Sequence, residues 1–205
     1  MKARNTLKIF SLFTIFMLMF NSLNSQTRYQ LSCYPLLLEV SHKVALEQVG
    51  TLEKTNKNDG DVVKYLKLFG FKSGTPYCAA GQYYCFYEGA KRINISKDSI
   101  PIIKSALCMH IYNDAKKRGK QTKYSPQKHD LIIWNKPKSW HGHIERVHNV
   151  LQNGWVETIG FNSSKTINGK KQEGVFLQKR NVLHPLGRLK VKGLVGFDNK
   201  EFNYD

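Results

Sequence analysis

The sequence predicts an α+β domain in which N-terminal helices pack on a C-terminal antiparallel sheet of about five or six strands. Three observations carry that expectation. Between Leu36 and Arg118 apolar residues recur at helical spacing, and after Gly119 the period changes to that of strands. The 205 residues also contain neither an internal repeat nor a low-complexity tract, so one hydrophobic core is expected.

Leu36 to Gly50 places Leu37, Val40, Val44 and Ala45 at helical spacing and ends in glycine, which reads as the first helix. Asn56 to Gly60 is a turn. A second helix starts at Asp61, with Val62, Leu66 and Phe69 on one stripe and Gly70 closing it. Thr75 and Pro76 open a third, because threonine is a good N-cap and proline at the first helical position gives up an N–H that has no partner there. That helix runs through Ala90 and holds Cys78 in its first turn, with Cys85 two turns deeper as core and Tyr83, Tyr84, Phe86 and Tyr87 forming core and groove wall. A fourth is expected from about Ser99 to Arg118, with Ile103, Leu107 and Ile111 on one face, Pro101 in its first turn and Gly119 as its stop. Five strand-forming segments follow: Asp130–Trp134, His143–Asn149, Trp155–Ile159, Gly174–Arg180 and Leu189–Phe197.

The first residues read as a signal peptide, residues 1–25. Lys2, Arg4 and Lys8 precede an apolar core from Ile9 to Phe20 broken only by Ser11 and Thr14, and small or polar residues follow to Ser25. That core is short for a membrane span, and no cysteine stands directly after it to take a lipid. An exported protein, periplasmic or secreted, is expected, with no stable membrane insertion once the leader is cut. Residues 26–35 then form an N-terminal extension, and 36–200 the domain.

The formal net charge is +17, of which the leader carries only Lys2, Arg4 and Lys8. The basic residues are spread along the chain without a nucleic-acid motif, so nucleic acid is not expected as a partner; anionic cell-envelope polymers suit an exported basic protein better. Four cysteines invite a disulfide, but a nucleophilic Cys78 must stay free. Cys33, Cys85 and Cys108 then allow at most one bridge, and three reduced thiols fit equally well.

Cys78 carries the chemistry. At a helix start the unpaired N–H groups and the positive end of the dipole favour a thiolate, which needs a histidine as base and proton donor. His143 is the candidate, in Gly142-His143-Ile144 at the start of a strand. His141 reads as a rim residue, and His42, His110, His129, His148 and His184 as surface or core groups. A zinc site at His141, His143 and His148 is disfavoured, since His-Glu-x-x-His spacing is absent and strand parity turns His148 away. No metal and no cofactor is expected.

These stretches together resemble a known family. Pro76-Tyr77-Cys78-Ala79-Ala80 opening a helix, Asp130 to Trp134 on a strand and Gly142-His143-Ile144 at the start of the next are similar to the CHAP group, the cysteine, histidine-dependent amidohydrolase/peptidases. Tyr65-Leu66 ahead of Gly74 to Cys78, and Gly174 to Arg180 near the end, extend the likeness over roughly residues 40 to 200. The resemblance implies a papain-like fold and a peptidoglycan hydrolase, an amidase or a cell-wall endopeptidase. It implies Cys78 as nucleophile, His143 as base, and a polar group on the following strand to orient the imidazole. The family's Glu-x-Asn pattern falls on Gly160-Phe161-Asn162, so Asn162 is the carry-over and Glu157 a displaced substitute. Gly81 stands where relatives commonly place a large apolar residue. With Gly160 it leaves open a wall-binding protein that has lost its chemistry; an exported antibacterial toxin of the same chemistry is a separate reading.

Overall fold

The structure is a computed structural model that describes residues 26–199, so the leader expected at 1–25 lies outside the described residues. The α+β class holds, as four α-helices and a seven-stranded mixed sheet. In chain order they are β1 (Thr27–Cys33), α1 (Pro35–Glu47), α2 (Val63–Lys67), α3 (Cys78–Arg92), α4 (Cys108–Arg118), β2 (Lys120–Thr122), β3 (Leu131–Asn135), β4 (Gly142–Val150), β5 (Trp155–Ile167), β6 (Lys170–Asn181) and β7 (Lys190–Asn199). The sheet order is β2-β1-β7-β3-β4-β5-β6. No helix among the described residues is long and apolar enough to cross a membrane.

Strand alternation divides the core. Leu131, Ile133, Ile144 and Val195 point to the helices and cluster with Ala79 and Phe86 of α3 and Ile111 and Ala115 of α4. Ile132, Trp134, Val147, Val156 and Leu194 point the other way and pack with Val182 under Tyr124, Leu186 and Leu189. A third cluster joins Val62, Tyr65 and Leu66 to Cys85, Ile159 and Phe161. Gly81 belongs at that seam: a Cβ there would lie 2.2 Å from the Phe161 ring, so glycine is what lets β5 approach α3.

Thr27–Cys33, expected as an extension ahead of the domain, is instead an interior strand. Tyr29, Leu31 and Cys33 face the helices, while Arg28 turns to the other side and makes a buried bidentate pair with Asp130 at 2.8 and 2.9 Å. β1 runs parallel to β7, with Tyr29 opposite Val195, and β2 adds an edge strand beside it. The sheet is therefore mixed and seven-stranded rather than antiparallel with five or six. The pairing joins the two ends of the described chain, a contact that no local pattern announces.

Two helix starts also differ from expectation. α3 begins at Cys78 rather than beside Thr75: Tyr77, at φ −124°, is its cap residue, and no side chain caps it. The fourth helix begins at Cys108, not near Ser99. Ile100 is extended ahead of Pro101, as residues before proline tend to be, and the Ser105 hydroxyl accepts the Leu107 N–H at 3.1 Å, diverting the backbone from an earlier start. β5 and β6 run past their expected ends into one long hairpin, turned by Asn168 and Gly169 at φ +50° and +75°.

Candidate active site

Cys78 is the first residue of α3. The Gly81 N–H is the first of that turn to bond back, to the Tyr77 carbonyl at 2.8 Å, so the N–H groups of Cys78, Ala79 and Ala80 have no acceptor within the helix. α3 packs across β4 and β5, which brings its N-terminus to the start of β4. There His143, paired in register with Trp134 of β3, lies near enough to the Cys78 side chain for the thiol to help raise its pKa. The predicted partners, separated by 65 positions in the sequence, thus meet in space.

The imidazole's other partner is neither Asn162 nor Glu157. His143 Nε2–H donates to Glu145 Oε1 at 3.0 Å. Glu145 lies two residues further along the same strand, on the same face, and is fully buried. Its carboxylate also accepts from Thr158 Oγ1 at 2.5 Å and from Arg180 Nε and Nη2 at 3.0 and 2.8 Å. Burial alone would raise its pKa, but hydrogen bonds and charge from His143 and Arg180 outweigh it and hold Glu145 down at about 2. For His143, burial opposes the charged form; the neighbouring Cys78 and Glu145 side chains override it and raise the imidazole to about 10. The arrangement favours an imidazolium beside the thiol.

Gly160 makes room for the Glu145 carboxylate. Glu145 and Gly160 are cross-strand neighbours in register, and a Cβ at 160 would sit 2.8 Å from Glu145 Oε1. The carboxylate occupies the space that a side chain from β5 would need. Only the register of β4 and β5 reveals this pairing. The local signal was present, since His-x-Glu on a strand puts both side chains on one face.

Asn162 acts on the other side of the site. It sits in a bulge of β5 at φ +53°, where the register with β6 shifts between Gly160 and Ser163. Its Oδ1 accepts the Tyr77 N–H at 3.3 Å, and its Nδ2 donates to Asn58 Oδ1 at 2.6 Å. The Tyr77 hydroxyl in turn donates to Glu53 Oε1 at 3.0 Å. Asn162 therefore holds the residue before Cys78 instead of the imidazole. Glu157 is further away, accepting from Asn149 Nδ2 at 2.7 Å on the exposed end of the hairpin. Asn162→Gly, which keeps the positive φ without strain, is expected to slow any reaction at Cys78 about tenfold without moving its pH profile; kcat across pH reads both.

The remaining histidines and cysteines have other partners. His141 bonds to Ser139 at 2.8 Å and stacks on the exposed Trp140; His148 meets His42 at 2.9 Å; His129 meets Glu39 at 2.8 Å. All four thiols are free, so the reduced alternative is the one realised. Burial pushes Cys33, Cys85 and Cys108 up to about 12, which makes them inert beside Cys78.

A cleft of about 440 Å³ opens at His143, walled by Gly142, Asn162, Ser163, Arg180, Leu186 and Leu189. Its polar floor and two leucines suit a peptide-like chain better than an apolar molecule. Comparison with protein-family models, curated proteins and solved structures returns no match.

Proposed function

We propose that the protein is an exported cysteine hydrolase of papain-like, CHAP type that cuts amide bonds of peptidoglycan, as an amidase or an endopeptidase. The single observation that carries this reading is the line of Cys78, His143 and Glu145 at a helix N-terminus, which supplies nucleophile, base and orienting carboxylate in the order such chemistry needs. In the first step Sγ adds to the amide carbonyl, while N–H groups at the start of α3 receive the oxyanion. His143 takes the thiol proton and passes it to the leaving amine, which departs as the C–N bond breaks and a thioester remains. Water then adds to the thioester carbonyl with His143 accepting its proton; the carboxylate product leaves, and the thiol is restored. Glu145 keeps the ring aligned and balances its charge throughout.

The wall as substrate rests on the leader-like residues 1–25 and on the resemblance carried by Pro76 to Ala80 and Gly142 to Ile144. A wall-binding protein without chemistry is the weaker reading. The two glycines that would mark a decayed site, Gly81 and Gly160, are each accounted for by a close approach, of Phe161 and of Glu145. An antibacterial toxin would share the chemistry and differ only in whose wall is cut.

The deciding experiment is digestion of purified peptidoglycan by wild type, Cys78→Ala and His143→Ala, with products identified by mass spectrometry. New amine ends with wild type that vanish in both variants are expected, and their masses name the bond. Release that persists in Cys78→Ala would sink the thiol mechanism.

A further inference from the structure

A second concavity, of about 1000 Å³, lies beside the catalytic cleft. The segment between β6 and β7 separates the two: Leu186 and Leu189 wall the cleft at His143, whereas Arg188 lines the neighbouring groove. The loop from β3 to β4, which delivers His143, contributes Lys138 to the same groove. Lys116 of α4 and Lys190 and Lys192 of β7 complete a set of five exposed cations, and no carboxylate among the described residues lines the groove. None of the five is in an ion pair among the described residues; the carboxylates that do form pairs serve other cations.

We propose that this groove binds a linear polyanion that carries repeated single negative charges and no stacking bases. Five unpaired cations around one concavity repel one another, and an anionic chain lying along them relieves that repulsion while releasing its own counterions. The groove offers no platform for a base. Its two aromatic residues, Tyr29 and Tyr112, are buried and engaged edge to face with each other at 5.6 Å, and Lys192 Nζ lies 5.5 Å from the Tyr112 ring. Binding of single-stranded nucleic acid relies on open aromatic faces, so charge spacing is the only feature this surface reads. The adjoining cleft gives the groove a use: a polymer held there anchors the protein while the cleft at His143 receives a neighbouring strand. The binding itself is independent of the thiol chemistry.

The test uses Cys78→Ala, so that no hydrolysis intervenes, and measures affinity against salt for poly(glycerol phosphate), polyglutamate and oligodeoxythymidine of equal charge. Five contacting cations give a slope of log K on log salt of about −3 to −4, at roughly 0.7 per neutralised charge on a single strand. Adding Lys116→Gln, Arg188→Gln and Lys192→Gln is expected to weaken binding at least tenfold and to reduce the slope by about 2. Adding Lys57→Gln, Lys67→Gln and Lys72→Gln, which removes the same charge elsewhere, leaves both unchanged. Tighter binding of poly(glycerol phosphate) than of polyglutamate identifies a phosphodiester polymer, the reverse a polycarboxylate, and either supports the groove. Equal losses in the two triple variants, no binding at low salt, or a preference for oligodeoxythymidine over both other polymers would overturn it.

Discussion

Glu145→Gln is expected to slow hydrolysis about 10²–10⁴-fold and to shift the alkaline limb of the pH profile downward. The carboxylate is the hub of four hydrogen bonds, to His143, Thr158 and twice to Arg180, and it is fully buried. An amide of nearly the same shape keeps one acceptor for the imidazole but removes the charge that stabilises the imidazolium. The sign follows from His143. Its pKa is raised in the folded protein, so the charged ring persists until the pH climbs through about 10. Without the Glu145 charge, the opposing effect of burial weighs more and the ring loses its proton at lower pH. Glu145→Ala also leaves Arg180 without its partner and is expected to cost about 3–5 kcal/mol of stability. Kinetics of Glu145→Gln from pH 5 to 10, beside Asn162→Gly, separate the two roles: only the former should move the limb. A shift seen with Asn162→Gly and absent with Glu145→Gln would reverse the assignment.

Acid is expected to unfold this protein well before its carboxylates are all protonated, through a histidine cluster away from the thiol. His42 and His129 are buried where α1 meets β4, their rings 4.7 Å apart edge to face, with His42 bonded to His148 and His129 to Glu39. Burial, then the charge of the neighbouring Arg146 guanidinium, lowers His42 to about 2 and His129 to about 4; Lys128 adds to both, and Glu39 only partly offsets the effect at His129. Both are neutral in the fold below the pH at which an unfolded histidine, near 6.5, takes its proton. The unfolded chain therefore binds more protons between pH 6.5 and 4, and stability falls as pH falls through that window. At about 1.4 kcal/mol per unit for each group, the loss by pH 4 reaches several kcal/mol, a large part of a typical net stability. Urea midpoints from pH 7.5 to 4 read the slope, and His42→Phe, which cannot take the proton, should flatten it. A wild-type midpoint that does not move across the window would exclude the mechanism.

The contrast between α3 and β1 shows what was legible. Pro76, the Ala79-Ala80 pair and the aromatic run that follows announce a helix with Cys78 in its first turn, even though the cap is Tyr77 rather than Thr75. Alternation in Thr27–Cys33 is equally local, but its meaning depends on a parallel partner at the far end of the chain. Likewise Gly142-His143-Ile144-Glu145 puts histidine and glutamate on one face by strand period alone. Yet the choice among Glu145, Glu157 and Asn162 depends on which residue of β5 stands opposite, and Gly160 stands opposite Glu145.

By itself the sequence determined the α+β class, the place of Cys78 at a helix start and the place of His143 at a strand start, because these follow from periods of 3.6 and 2 and from local helix signals. Tertiary structure alone decided the seventh strand, the glutamate behind His143, the asparagine behind Tyr77 and the meeting of five cations in one groove. Each of these joins residues far apart in the chain, and such contacts are set by strand register and packing, which no local pattern encodes.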